Sequence, residues 1–351
     1  MKKTLTPILI SIFLFLCASC ASSAGVNTSI AAALHHSQAT PITLVQAPVD
    51  ATPTATPFQP VPPTAVYYPT AVPLFIPTST PTPAPTPFSL DPSAPVGALQ
   101  LPPDQVNILL LGSDQRPWDS HFRTDTIILL TLNPSQGKVS LTSFPRDLYI
   151  NIPGAGMDRI NTAWGRGGFN KLAETFAYNF GVRPDHYVLI NFSSFKQIID
   201  SLGGLDVNVG QTVSDYRNGF YYTIHAGPQK MDADTVLWYV RTRKTTNDFA
   251  RARRQQEVLM AVFDKMLSLN ALRRIPEFYA IYKDNVTTDM GLKDIVPFFP
   301  LAAQLVDTSR IHHYYIGPGQ VSNWITPEGG MVLLPDKDAV MNVIRKALNG
   351  Q

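Results

Sequence analysis

The chain has 351 residues, 31 prolines and a formal net charge of +2, and these averages conceal two unlike parts. Residues 1–105 hold 19 of the prolines but only five charged side chains (Lys2, Lys3, Asp50, Asp91 and Asp104), a composition that argues against a packed domain. The other 49 of the 54 charged residues fall in 106–351, about one residue in five, which is near an ordinary globular value. That part is long enough to bury a full core, as one large domain or two small ones. So small a net charge leaves no footprint of a general nucleic-acid binder. Both cysteines, Cys17 and Cys20, lie in the first twenty residues. The body is therefore without a disulfide, a thiolate metal site or a cysteine nucleophile.

The chain opens Met1-Lys2-Lys3 and runs apolar from about Ile8 to Ala18, a basic segment and a short apolar one in the pattern of an export signal. The run falls short of the roughly 20 residues of a comfortable membrane span. Cys17-Ala18-Ser19-Cys20 resembles a lipobox with Cys17 where Leu is usual, so Cys20 is the expected site of acylation. A retained N-terminal anchor and simple secretion are the alternatives, and all three place the body outside the cytoplasm. Residues 41–103 carry 18 prolines, many as Thr-Pro. Such a segment supports neither a helix nor a central strand. An extended, disordered tether that lifts a domain off a membrane is expected.

In the body, Val106–Leu111 reads as a buried strand ending at Gly112. Thr126–Leu132 and Lys138–Phe144 are two more, joined tightly through Asn133-Pro134-Ser135-Gln136-Gly137. A helix is expected over Asn170–Phe180, a strand over Tyr187–Phe192, a helix over Ser194–Leu202 closed by Gly203-Gly204, and a strand over Leu205–Val209. Asp232 to about Arg241 reads as helical. A longer helix starts near Phe249 with Asp248 in the N-cap position; Val258, Leu259, Val262, Phe263, Met266 and Leu267 give it one apolar stripe. Helices near 291–305 and 337–348 flank a strand at Ile311–Ile316. Helices and strands alternate without strict βαβ repeats, which predicts a mixed sheet covered by helices on both faces.

Of the 16 arginines in the body, eight sit in short patches: Arg116, Arg123, Arg146, Arg241, Arg243, Arg251, Arg253 and Arg254. Clustered arginine beside strand ends and helix starts suits a multiply charged oxyanion such as phosphate. If the first three strands pair as antiparallel neighbours, Asp114 and Arg116, Arg123 and Asp125, and Arg146 and Asp147 gather at one sheet edge. Carboxylates brought together repel unless a cation lies between them, and all-oxygen ligation suits Mg²⁺. The ordinary alternative for each aspartate is a surface ion pair or a turn. Arg251, Arg254 and Gln255 share a helix face by their i, i+3, i+4 spacing, in first turns that already favour anions. Arg253 points elsewhere, as a solvated charge. The histidines form no metal pattern, and no nucleophile elbow, Walker loop or dinucleotide fingerprint is present.

Asn107-Ile-Leu-Leu-Leu-Gly-Ser-Asp114-Gln-Arg116, Arg123-Thr-Asp125-Thr and Ser143-Phe-Pro145-Arg146-Asp147 resemble the N-terminal signature of the LytR-CpsA-Psr family. Arg159-Ile-Asn161-Thr-Ala163, Gly203-Gly204, Tyr239-Val-Arg241-Thr-Arg243 and Asp248-Phe-Ala-Arg251-Ala-Arg-Arg254-Gln255 continue the resemblance in order, over about residues 105–268. It implies an α/β/α sandwich around a central mixed sheet. It also implies an extracytoplasmic, Mg²⁺-dependent phosphotransferase, with Mn²⁺ as an alternative ion, that moves a glycopolymer from a polyprenyl-pyrophosphate carrier to a hydroxyl of peptidoglycan. By motif, Asp114 and Asp125 would hold the metal. Arg116, Arg123, Arg146, Arg241, Arg243, Arg251 and Gln255 would grip the pyrophosphate, and Asp147 would support them. Ala250 stands where the family often has Gly. The domain plan that results is an export segment (1–20), a linker (21–104), a catalytic domain (105–270) and a C-terminal α/β extension packed on it (271–351). Two other readings stay open: a polyprenyl-pyrophosphate pyrophosphatase, and a non-catalytic envelope-binding or transcriptional attenuator protein. Export argues against the latter binding DNA.

Overall fold

The structure, a computed structural model, describes residues 94–115, 122–242, 247–268, 279–280 and 283–350. The export segment, the lipobox and nearly all of the Thr-Pro tether lie outside the described residues, as do Arg116 and Arg243. In chain order the strands and helices begin with β1 (Val106–Ser113), β2 (Thr124–Asn133), β3 (Lys138–Phe144), β4 (Tyr149–Ile152) and β5 (Gly156–Arg159). Then come α1 (Ala163–Phe180), β6 (His186–Asn191), α2 (Phe192–Ser201), β7 (Leu205–Val209), β8 (Val213–Arg217), β9 (Phe220–Ile224) and β10 (Gly227–Met231). The rest are α3 (Ala233–Arg241), α4 (Asp248–Ser268), β11 (Thr287–Thr288), α5 (Leu292–Ile295), α6 (Phe299–Gln304), β12 (Ile311–Tyr315), β13 (Val321–Ile325), β14 (Met331–Pro335) and α7 (Lys337–Asn349).

The central sheet runs β11-β6-β1-β2-β3-β12. β1, β2 and β3 pair as consecutive antiparallel neighbours, while β6 lies parallel to β1 and β12 parallel to β3. This is the expected mixed sheet. The β2–β3 connection is a short 3₁₀ turn over Pro134–Gln136, closed by Gly137 at φ 62°, whose N–H reaches the Pro134 carbonyl at 3.1 Å. It is the positive φ that favours glycine here; a Cβ at Gly137 would stand 2.2 Å from the Gln304 side-chain oxygen, which would have to swing aside.

Strand residues alternate between two cores. Ile108, Ile128, Leu130, Leu132 and Leu141 face α2, α3 and α4 on one side of the sheet. Leu109, Leu111, Ile127, Leu129 and Phe144 face α1 and α7 on the other. Helices therefore cover both faces, giving an α/β/α sandwich. Val96, Leu99 and Leu101 pack on the second core, and the N–H groups of Val96 and Leu99 bond to the carbonyls of Tyr178 and Gly181 at 2.8 Å. The end of the proline-rich stretch thus lies along the close of α1.

Several elements differ from expectation. α1 begins at Ala163 rather than Asn170, with a break at Gly167 and Gly168. The cap of α4 is Asn247, whose Oδ1 accepts the Ala250 N–H at 2.8 Å; Asp248 belongs to the first turn. The two-stranded ribbons β4–β5, β8–β9 and β13–β14 have no counterpart in the sequence reading.

Candidate active site

The register between β1 and β2 breaks at its open end. Gly112 pairs with Thr126 and Ser113 with Thr124, leaving Asp125 as the extra residue of a bulge. Strict alternation back from Ile127 would turn Asp125 toward the α1 side. The bulge re-aims it, and Asp125 lines a cavity on the opposite face together with Thr126. Asp114, one residue past β1, is exposed.

Arg146 follows β3 at the same edge. Its Nη1 donates to Asp125 Oδ1 at 2.7 Å and its Nε to Asp147 Oδ2 at 3.2 Å. Asp147 also pairs with Arg159 Nε at 3.2 Å, so the order along the edge is Asp125, Arg146, Asp147, Arg159. Burial opposes the charge of Arg146, but the bond to Asp125 and the fields of Asp125, Asp147 and Asp248 outweigh it and raise its pKa. The guanidinium stays charged and is held in one orientation.

The start of α4 supplies the other side. Arg251 is 8% exposed and lies 3.5 Å from Asp248; it lines the cavity with Gln255, Val258, Leu259 and Val262. Arg254 does not join them, contrary to the i, i+3 expectation. It is buried at 1% exposure, with Nε donating to the Tyr239 carbonyl at 2.9 Å and Nη2 to the Thr242 carbonyl. Those carbonyls end α3, so Arg254 clamps α4 onto the close of that helix. Burial lowers its pKa. Arg253 faces away from the cavity, as expected, but is tied to Gln211 at 2.7 Å and Glu257 at 3.4 Å rather than simply solvated. Gln256 is buried and donates to Ser143 Oγ at 2.8 Å, while its Oε1 lies 2.6 Å from His313 Nδ1. Arg254 and Gln256 thus fix the rotation of α4 from two sides.

Arg241, at the end of α3, is exposed and lies over the Phe192 ring at 4.2 Å. The cavity between these groups holds about 290 Å³. Asp125, Arg146, Arg241, Arg251 and Gln255 stand among its lining; the rest is mainly aliphatic, from Leu110 and Ile128 to Val188, Ile190, Leu237 and Val240. The structure thus brings five of the expected site residues to one cavity. Asp147 stands behind Arg146, while Arg123 and Asp114 are exposed and outside the cavity lining. Phe192, Leu237 and Val240 were not anticipated, because only tertiary contact reveals them. Asn191 carried a signal that was missed: Asn-x-x-Ser ahead of a helix, with its Oδ1 accepting the Ser194 N–H at 2.9 Å.

No group of three or more His, Cys, Asp or Glu side chains able to hold a metal occurs among the described residues. Asp114 and Asp125 flank the Ser113–Thr124 pair, whose buried hydroxyls find no hydrogen-bond partner among the described residues. Asp114 and Asp125 could supply carboxylate oxygens to a hard cation that takes its other oxygens from water and phosphate. That fits Mg²⁺ or Mn²⁺ better than a metal requiring an all-protein cage.

The chain is thus an α/β/α domain with arginines at the mouth of a largely apolar cavity. The LytR_cpsA_psr family profile matches residues 87–342, and the chain belongs to that family. It is 37% identical over 197 residues to the polyisoprenyl-teichoic acid–peptidoglycan teichoic acid transferase TagU of Oceanobacillus iheyensis, covering 54% of this chain and 60% of that one. It is 31% identical over 217 residues to the TagT transferase of the same description from Bacillus subtilis, covering 59% and 67%. The matches thus span about two thirds or less of these relatives' lengths. A solved structure of TagT bound to LI-WTA superposes with a TM-score of 0.56 at 25% identity, covering 73% of this chain and 96% of that one.

Proposed function

We propose that this chain is a phosphotransferase that moves a glycopolymer from a polyprenyl-pyrophosphate carrier to peptidoglycan. The observation that carries it is the cavity, whose charged mouth and aliphatic depth match the two halves of such a carrier. Each prenyl methylene buried in the depth contributes about 0.8 kcal/mol. Arg146 and Arg251 approach the mouth from β3 and from α4, and each charge-assisted bond to phosphate is worth about 1.5–3 kcal/mol. Arg241 stands at the rim, and Gln255 offers an amide beside Arg251. The names of the TagU and TagT relatives support the same substrates.

Phosphoryl transfer asks the protein mainly to position groups and stabilise developing charge. The acceptor hydroxyl oxygen forms a bond to the phosphorus that carries the glycopolymer. The bond from that phosphorus to the bridging oxygen breaks, polyprenyl monophosphate leaves, and the hydroxyl proton is released. Arg146, already oriented by Asp125 and Asp147, faces the pyrophosphate with little reorganisation. Arg251 faces it from a helix start where free N–H groups also favour anions. Bound by Asp114 and Asp125, Mg²⁺ would supply further neutralisation of the pyrophosphate oxygens. Arg116, Arg123 and Arg243 are proposed to complete the grip, on the motif resemblance alone.

The reconstituted full chain, given lipid-linked glycan, should release polyprenyl monophosphate and label peptidoglycan only when both wall acceptor and Mg²⁺ are present. Release without acceptor would make the chain a pyrophosphatase; binding without release under any condition would make it non-catalytic. We further propose an extracytoplasmic body, anchored through acylated Cys20. Intact-mass analysis should find diacylglycerol on a chain beginning at that residue, and an unmodified chain beginning at Met1 would contradict this.

A further inference from the structure

The β8–β9 ribbon carries a concentration of exposed aromatic surface. Phe220 is 79% exposed, Tyr221 64% and Tyr216 60%. The ribbon turns through Asn218 and Gly219, both at positive φ (50° and 86°), the tight two-residue turn that Asn-Gly favours. Tyr216 pairs across it with Tyr221, their rings 5.7 Å apart, on the outward face. The inward face is anchored. Val213, Asp215 and Ile224 are buried, Tyr222 packs on Trp238 at 5.1 Å, and Trp238 Nε1 donates to the Tyr216 carbonyl. Of the ribbon's two charged residues, Asp215 is buried and Arg217 only half-buried, so its accessible charge is positive.

The ribbon is also placed by α3. Leu237, Val240 and Arg241 line the cavity from one side of that helix. Thr235 and Trp238, on its adjacent side, hold the ribbon through Arg217 Nη1 and the Tyr216 carbonyl. The aromatic turn therefore stands next to an apolar cavity, one helix width away.

We propose that the β8–β9 ribbon is a bilayer-docking element, seating Phe220, Tyr221 and Tyr216 among the headgroups of an anionic membrane beside the cavity. Tyr rings prefer the membrane–water interface, and at headgroup depth the Asn218 amide and the backbone of the turn stay hydrated while Phe220 beside them meets the acyl boundary. Arg217 matches anionic headgroups, and the aliphatic cavity behind α3 continues the apolar path. A glycan strand is the less favoured occupant. The largest exposed ring, Phe220, is purely apolar, and a sugar hydroxyl finds partners only at the Asn218 amide and the Tyr216 and Tyr221 hydroxyls.

The proposal does not depend on the transfer reaction and is tested without it. In the full chain with Cys17→Ser and Cys20→Ser, Phe220→Cys provides a single thiol for an environment-sensitive fluorophore. Asn342→Cys, exposed on α7 across the sheet, provides the control. An N-terminal polyhistidine tag holds either chain on vesicles doped with a nickel-chelating lipid, so only the label's surroundings are read. On phosphatidylglycerol vesicles the label at 220 should brighten, shift to the blue and be quenched by lipid-borne quenchers, while the label at 342 stays aqueous. Tyr216→Ser with Tyr221→Ser should abolish the shift, and phosphatidylcholine vesicles should weaken it about fivefold, the effect of one basic residue near an anionic surface. A label at 220 that remains aqueous on co-sedimenting vesicles would overturn the proposal. So would shielding by peptidoglycan sacculi instead of vesicles, which would assign the ribbon to a glycan.

Discussion

The two faces of the central sheet are built from the same kinds of residue and end differently. On the α1–α7 side, Phe144, Phe176 and Phe180 pack with centroids 4.9–5.2 Å apart and fill the space between sheet and helices. On the other side, α4 lies over Leu110, Ile128, Val188 and Ile190 and leaves a cavity of about 290 Å³. Aliphatic side chains alone would let α4 settle inward. What holds it is polar: Arg254 on the carbonyls closing α3, Gln256 on β3 and on His313, and Tyr239 Oη donating to Glu257 Oε2 at 2.5 Å. One face is closed by volume; the other is kept open by directional bonds.

The largest expected difference is in stability. Phe176→Ala should cost about 3–5 kcal/mol, because it opens a void in a filled layer. Val262→Ala borders space that already exists and should cost no more than about 1.6 kcal/mol, the transfer term for two methyl-sized groups. Chemical denaturation of both variants measures the contrast, and equal losses would mean that the cavity side is as tightly filled as the other.

Next in size is the loss of grip at the mouth. Arg146→Ala or Arg251→Ala should weaken binding of a prenyl pyrophosphate by roughly tenfold to over a hundredfold, from bonds of about 1.5–3 kcal/mol each. Arg253→Ala, two residues from Arg251 but turned away, should change it little. Titration of the three variants checks this, and equal losses at Arg251 and Arg253 would show that the helix face is wrongly assigned.

Filling the cavity separates the two kinds of loss. Val258→Phe should leave the melting temperature nearly unchanged, since it grows into open space, while abolishing binding of the lipid but not of inorganic pyrophosphate. Parallel melting and binding curves measure it; a large fall in melting temperature would contradict the open-face description.

The smallest effect is on pH dependence. Burial, aided by the neighbouring His312, holds the His313 pKa below the ordinary 6.5. The folded state therefore binds fewer protons than the unfolded chain. The stability this gives is complete above 6.5 and is lost as pH falls from there through the folded pKa. His313→Gln should flatten that part of the stability–pH curve, and an unchanged slope would remove His313 as its source.

Much of this arrangement was legible in the sequence, and its gaps have physical causes. β1, β2 and β3 are continuous apolar runs with one tight turn, and antiparallel pairing of neighbours was enough to gather Asp125, Arg146 and Asp147. Arg251 and Gln255 followed from helical spacing. Arg254 was misplaced because i, i+3 and i, i+4 lie on opposite flanks of residue i. At about 100° per residue, Arg254 and Gln255 are themselves about 100° apart, and the cavity lies on the Gln255 side. The bulge that aims Asp125 depends on a register no local pattern specifies. Cation–π contact between Arg241 and Phe192 joins residues 49 positions apart, which spacing cannot foresee. The β8–β9 ribbon escaped notice although Asn218-Gly219 marks its turn, because its strands are short and one face is exposed aromatic rather than polar.

The central claim is that mouth and cavity form one site for a single amphipathic ligand. Calorimetric titration of the full chain with geranylgeranyl pyrophosphate, inorganic pyrophosphate and geranylgeraniol, each with Mg²⁺, tests it most directly. The conjugate should bind more tightly than either half, and Arg251→Ala and Val258→Phe should each weaken it. Inorganic pyrophosphate binding as tightly as the conjugate would show that the cavity takes no part and would contradict the account.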